Sequence, residues 1–146
     1  MLTVAGKWRR LSADERATFL HALFLVPAMH VIVRVVGYNR LQGWVANTPP
    51  RVRRPDLPTA HAVRTCVVSI SRVKRLSPAR GNCLSQSLAL SRLMRARGLD
   101  PTLRLGVRLT DAKFDAHAWV EYDGRVLNDT QDVHTRFTPL AGKSGA

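Results

Sequence analysis

From Ala17 to Val33 the chain carries no Asp, Glu, Lys or Arg, and apolar side chains including Phe19, Leu20, Leu23, Phe24, Val26 and Met29 cover most of a helical circumference. Such a run must be covered by protein layers, by a partner or by lipid. It is shorter than the roughly 20 apolar residues that cross a bilayer, it contains His21, Pro27 and His30, and Arg34 follows it directly. The expected state is therefore a helix buried between protein layers or beneath a partner, with contact at a membrane surface as the next alternative. Its start is marked by Ser12 and, three residues on, Glu15, the two members of a capping box. Pro27 is expected to kink the helix or divide it in two, because it lacks an N–H and its ring meets the preceding turn.

At 146 residues the chain suits one compact unit. With 45% hydrophobic and 23% charged residues it can build a core and is not a disordered chain. Cys66 and Cys83 are the only cysteines, too few for a disulfide scaffold or a thiolate zinc site. No metal and no cofactor are expected. No basic stretch, apolar core and small-residue cleavage site open the chain, so a cytoplasmic location is expected, with membrane association left open.

The formal net charge is +13. Residues 1–80 hold 14 basic and 3 acidic side chains, whereas residues 81–146 hold 9 and 7, so the excess belongs to the front half. A field of this sign attracts anions of many kinds, yet no motif with a known groove geometry accompanies it, and nucleic acid is not the expected partner.

Two regions follow from the punctuation. Residues 1–59 comprise the apolar helix and a connector in which Pro49, Pro50, Pro55 and Pro58 surround Arg51, Arg53 and Arg54; such a segment sustains neither a helix nor an interior strand. Residues 60–146 then read as a helix from Ala60 to Arg75, a second from Cys83 to about Arg97 with Asn82 as its cap and Gly98 as its stop, and three strands: Thr102–Leu109, Phe114–Tyr122 and Arg125–Asp129. Helices first, then a helix packed on an antiparallel sheet, make an α+β fold.

The chemistry lies in this second region. Cys83 stands in the first turn of its helix, where unpaired N–H groups and the helix dipole favour a thiolate, the attacking form of cysteine. His117 lies mid-strand between Ala116 and Ala118, small neighbours that leave the imidazole room to meet another element and act as base and then acid. The third member depends on register. A strict two-residue turn at Asp123-Gly124 opposes His117 to Thr130 and sends Asp129 to the other face; a three-residue loop with a glycine bulge opposes His117 to Asp129 and Glu121 to Arg125. The bulged hairpin is expected, since it also pairs opposite charges across the strands. A carboxylate there would fix the imidazole tautomer. The Cys83 N–H is the natural first oxyanion donor, Asn82 or Gln86 can add a side-chain donor, and Trp119 is either a cleft residue or a core aromatic.

The segments Gly81-Asn82-Cys83-Leu84-Ser85-Gln86-Ser87-Leu88, His117-Ala118-Trp119-Val120-Glu121, Asp123-Gly124 and Asn128-Asp129-Thr130 together resemble the transglutaminase-like cysteine peptidases of lasso-peptide biosynthesis. Steps of 34 residues from Cys83 to His117 and 12 from His117 to Asp129 fit a small version of that Cys-His-Asp core. The resemblance implies a papain-like, transglutaminase-like fold. It also implies a leader peptidase in which Cys83 is the nucleophile, His117 the base and acid, and Asp129 the orienting carboxylate. It implies as partners the precursor leader peptide, a separate leader-recognition protein, and the cyclase, to which ATP belongs. Arg51, Arg53 and Arg54 are candidates for docking a partner. Two other readings stay open: acyl transfer to an amine, and a non-catalytic basic adaptor for nucleic acid or acidic lipid.

Overall fold

The computed structural model describes residues 4–47, 58–76 and 83–140. The arginine-rich connector, with Arg51, Arg53 and Arg54, and the expected cap Asn82 lie outside the described residues. A short α1 (Val4–Arg9) leads into the long α2 (Ala13–Val36), followed by α3 (Tyr38–Asn47), α4 (Thr59–Leu76) and α5 (Cys83–Arg95). The sheet comes next: β1 (Thr102–Thr110), β2 (Lys113–Tyr122) and β3 (Arg125–Val126), then a single turn α6 (Val133–Arg136) and β4 (Thr138–Pro139). All pairings are antiparallel, in the order β3-β2-β1-β4. Helices before sheet make the α+β arrangement that the sequence pattern predicts.

The capping box forms as read: Ser12 Oγ accepts the Glu15 N–H at 3.1 Å, and Glu15 Oε2 accepts the Ser12 N–H at 2.8 Å. Pro27 does not divide the helix, which runs unbroken from Ala13 to Val36. A proline inside a helix costs about 3 kcal/mol, but Phe19, Val26 and Met29 on the same helix are buried, each contributing about 1.5–3 kcal/mol; packing wins. The burial of α2 is one-sided. Thr18, Phe19, Ala22, Val26 and Met29 form the stripe packed on α4 and α5, while Leu20, Phe24, Val31 and Val35 remain exposed. The expected burial of the whole apolar circumference is thus met on one face only.

Arg97, just past α5, donates to both carboxylate oxygens of Asp14 at 3.0 Å and so ties that helix end to the first turn of α2. At α5's C-terminus the Gly98 N–H reaches Arg95 O and the Leu99 N–H reaches Met94 O, both within 3.1 Å, with Gly98 at φ +78°. This is the left-handed glycine stop the sequence announced.

The sheet has two differently covered faces. Val120 joins the main core with Leu88, Met94 and the helices, whereas its neighbour Trp119 joins a second cluster with Val126, Val133 and Phe137. Alternation along β2 assigns His117, Trp119 and Glu121 to the latter face. The C-terminal segment through α6 and β4, which no periodicity in the sequence foretold, supplies its cover.

Candidate active site

Asp123 and Gly124 adopt φ values of +51° and +74°. Two successive left-handed residues make a two-residue turn whose twist matches that of the strands. The register is therefore Tyr122 opposite Arg125 and Glu121 opposite Val126; the expected bulged hairpin is corrected, and with it the Glu121–Arg125 pair. In a continued ladder this register would carry Asp129 away from His117.

Asp129 nevertheless hydrogen-bonds His117, its Oδ2 meeting the ring Nε2. The third strand makes this contact by stopping early. It ends at Val126, not Asp129, and its last main-chain bond runs from the Leu127 N–H to Val120 O at 2.9 Å. The Val120 N–H then donates at 2.8 Å to the side-chain Oδ1 of Asn128 instead of to a main-chain carbonyl. Asn128 thus closes the ladder with its side chain, releasing the main chain to turn and carry Asp129 to the imidazole. Gln131 seals the short strand, accepting the Val126 N–H and donating to its carbonyl.

The Asn128 amide also donates to Ser87 Oγ at 2.8 Å, and Ser87 donates to Ala118 O at 3.1 Å. Ser87 is one turn after Cys83, and residues four apart share a helix face. The face of α5 that begins with Cys83 is thus the one bonded to β2 at the Ala118 carbonyl. Cys83 is the first residue of α5 and a free, partly exposed thiol. Cys66, by contrast, is fully buried, and desolvation pushes its thiol up to about 11. Among the described residues no hydrogen bond joins Cys83 to His117; the direct contact is between His117 and Asp129.

Burial alone would raise the Asp129 carboxyl, but donors on both oxygens outweigh it and hold its pKa below the usual value. Besides the His117 contact on Oδ2, the Thr130 N–H donates to Oδ1 at 2.7 Å and Arg136 donates to Oδ1 at 2.6 Å. An ionised Asp129 accepts the Nε2–H of His117, which leaves Nδ1 with the free lone pair. Phe137 stacks on the imidazole with ring centroids 4.8 Å apart and planes at 27°, and Arg108 sits over the other aromatic ring, 4.7 Å from the Phe137 centroid. Arg136 and Phe137 fix the carboxylate and the ring respectively. Neither was legible in the sequence, because both act from the irregular C-terminal segment.

Trp119 is fully buried and its indole N–H donates to Glu121 at 2.9 Å, making it a core aromatic and not a cleft residue. The same Glu121 carboxylate pairs with His134 at 2.8 Å and Arg104 at 3.2 Å. Gln86 is buried in α5. Arg108 pairs with Asp115 at 2.8 Å. Among the described residues no group of three or more His, Cys, Asp or Glu side chains is arranged to hold a metal ion.

Comparison with known proteins adds two findings. A family model described as the transglutaminase-like superfamily matches residues 23–142. The microcin J25-processing protein McjB of Escherichia coli is 32% identical over 81 residues, a match covering 56% of this chain and 38% of that protein. The chain thus spans well under half the length of that relative. No solved structure matches.

Proposed function

The chain belongs to the transglutaminase-like superfamily, and on that footing we propose that it is a cysteine peptidase that removes the leader from a lasso-peptide precursor. The observation that carries the reading is the bond from His117 Nε2 to Asp129, which leaves Nδ1 as the proton acceptor on a strand next to the helix that starts with Cys83. The likeness to a protein named for microcin J25 processing supports maturation of a ribosomal peptide as the setting.

In this mechanism Cys83 Sγ attacks the carbonyl of the last leader residue while His117 Nδ1 takes the thiol proton. Asp129 keeps the ring in the Nε2–H tautomer and stabilises the imidazolium. The Cys83 backbone N–H faces the developing oxyanion, at a helix entrance whose dipole favours negative charge. Collapse of the tetrahedral intermediate breaks the peptide C–N bond. His117 returns the proton to the departing amine of the core peptide, and the leader stays as a thioester on Cys83. Water, deprotonated by His117, then releases the leader as a carboxylate. A separate recognition protein presents the leader, and the ATP-dependent cyclase takes the freed amine; Arg51, Arg53 and Arg54 are the candidate docking residues.

The test is to incubate the purified chain with precursor and candidate recognition proteins and follow the products by mass spectrometry. Wild type is expected to yield leader and core. Cys83→Ala is expected to lose cleavage by a factor on the order of 10⁶, the scale seen when a serine-protease triad loses its nucleophile. A folded Cys83→Ala protein that cleaved at the wild-type rate would overturn the assignment.

A further inference from the structure

We propose that α2 docks the protein on an anionic lipid bilayer, lying in the plane of the membrane with its outer face among the headgroups. On the side of α2 away from the core, Leu20, Phe24, Val31 and Val35 are 44%, 73%, 59% and 79% exposed. Their spacings of four, seven and four residues put them in one line along the helix, over about 22 Å at 1.5 Å per residue. Ala17, Pro27 and Ala28, also exposed, continue the same face. Isolated surface apolar residues are ordinary; a continuous stripe of this length marks an interaction site.

Charge selects the occupant. No Asp or Glu lies between Glu15 and Asp56, so the only charged side chains of α2 beyond Glu15 and of all α3 are positive, with Arg34 closing the stripe and Arg40 following it. Both arginines are exposed. A second copy of the chain would bring its own +13 to the same surface, and like charges oppose that union. An anionic bilayer satisfies both features together, taking the apolar side chains beneath the headgroups and setting Arg34 and Arg40 among phosphates.

The helix is long and apolar enough to cross a membrane by composition, but the packing selects the in-plane arrangement. Its inner stripe, with Ala22 and Met29 all but fully buried, belongs to the core against α4 and α5. Asp14 in its first turn is held by Arg97. Spanning would require the helix to abandon that core, whereas lying flat uses only the face already exposed.

Flotation of the full chain with phosphatidylcholine vesicles, with and without phosphatidylglycerol, tests this. Wild type is expected to float with the phosphatidylglycerol vesicles and to be released by high salt. The double variant Phe24→Glu/Val31→Glu and the double variant Arg34→Glu/Arg40→Glu are each expected to bind at least about tenfold more weakly. Their circular dichroism and melting are expected to stay unchanged, because all four side chains face solvent. Four results would overturn the proposal: wild type that does not float, equal binding to phosphatidylcholine alone, variants that bind like wild type, or a wild-type dimer in sedimentation velocity that Phe24→Glu/Val31→Glu dissolves. Vesicle-free leader cleavage by Phe24→Glu/Val31→Glu should match wild type; its loss would put a protein partner on the stripe and also overturn the proposal.

Discussion

Gly106 sits on β1 directly opposite His117, and replacing it by alanine tests how the imidazole is held. A Cβ at this position would lie 2.7 and 2.8 Å from two ring carbons of Trp119 and 2.9 Å from Phe137 Cβ. Carbon atoms rest at about 3.5–4.0 Å, so a displacement of roughly 0.6–1.3 Å is required. Neither neighbour gives easily: Trp119 is fully buried with its N–H bound to Glu121, and Phe137 would have to move at its Cβ, next to the backbone. Overpacking of this kind costs about 1–3 kcal/mol, which for a chain of this size lowers Tm by roughly 2–10 °C. Because Phe137 stacks on His117, the displacement also moves the proposed base, and a misplacement of about 1 Å can cost on the order of 10² in rate. Thermal melting and precursor cleavage measure the two effects. In a Trp119→Phe background the two clashing ring carbons are gone, so the Gly106→Ala penalty is expected to shrink, giving a coupling of at least about 0.5 kcal/mol in a double-mutant cycle. Unaltered melting and cleavage for Gly106→Ala, or strictly additive penalties, would refute the reasoning.

Arg136→Gln removes one of the donors that hold the Asp129 pKa low. A depressed carboxylate contributes stability that is complete above its unfolded value and is lost as pH falls through its folded value, so the acid limbs of both stability and cleavage are expected to move to higher pH in this variant. Coincident acid limbs for variant and wild type would count against Arg136 as the positioning cation. Asn128→Ala leaves the Val120 N–H without its acceptor, an omission worth about 1–3 kcal/mol; urea denaturation should show a lower midpoint, and hydrogen exchange at Val120 should quicken. Ser12→Ala removes the hydroxyl that accepts the Glu15 N–H, one of the two bonds of the capping box, and is expected to cost about 1 kcal/mol, read as a lower midpoint with cleavage preserved at low temperature.

The unused surface of the site is as informative as its contacts. Trp119, Glu121, His134 and Arg104 form a closed network on the same sheet face as His117, with the Glu121 pKa held low because donors from Trp119 and Arg104 outweigh its burial. This network spends its polar groups on one another. It lies beside the imidazole, with the Trp119 and His117 ring centroids 6.2 Å apart.

What was written in the sequence was local. Ser12 and Glu15 specify a helix start because their hydrogen bonds close within one turn, Gly98 specifies a stop because it alone adopts the left-handed φ at no steric cost, and alternation from Thr102 onward specifies a strand because successive side chains must face opposite ways. Cys83 at a helix entrance and His117 on a strand follow from the same short-range rules. The meeting of His117 with Asp129 does not. The Asp-Gly turn chose the register that separates them, and contact was restored because Asn128, bonded to Ser87 on a helix 41 residues earlier in the chain, takes over the ladder with its side chain, so that the strand ends at Val126, three residues sooner than the strand pattern suggests. Arg136 and Phe137 reach the pair from a segment without periodicity, and which face of α2 is covered depends on where α4 and α5 lie. Bonds between residues far apart in sequence have no local signature, so only the folded chain decides them.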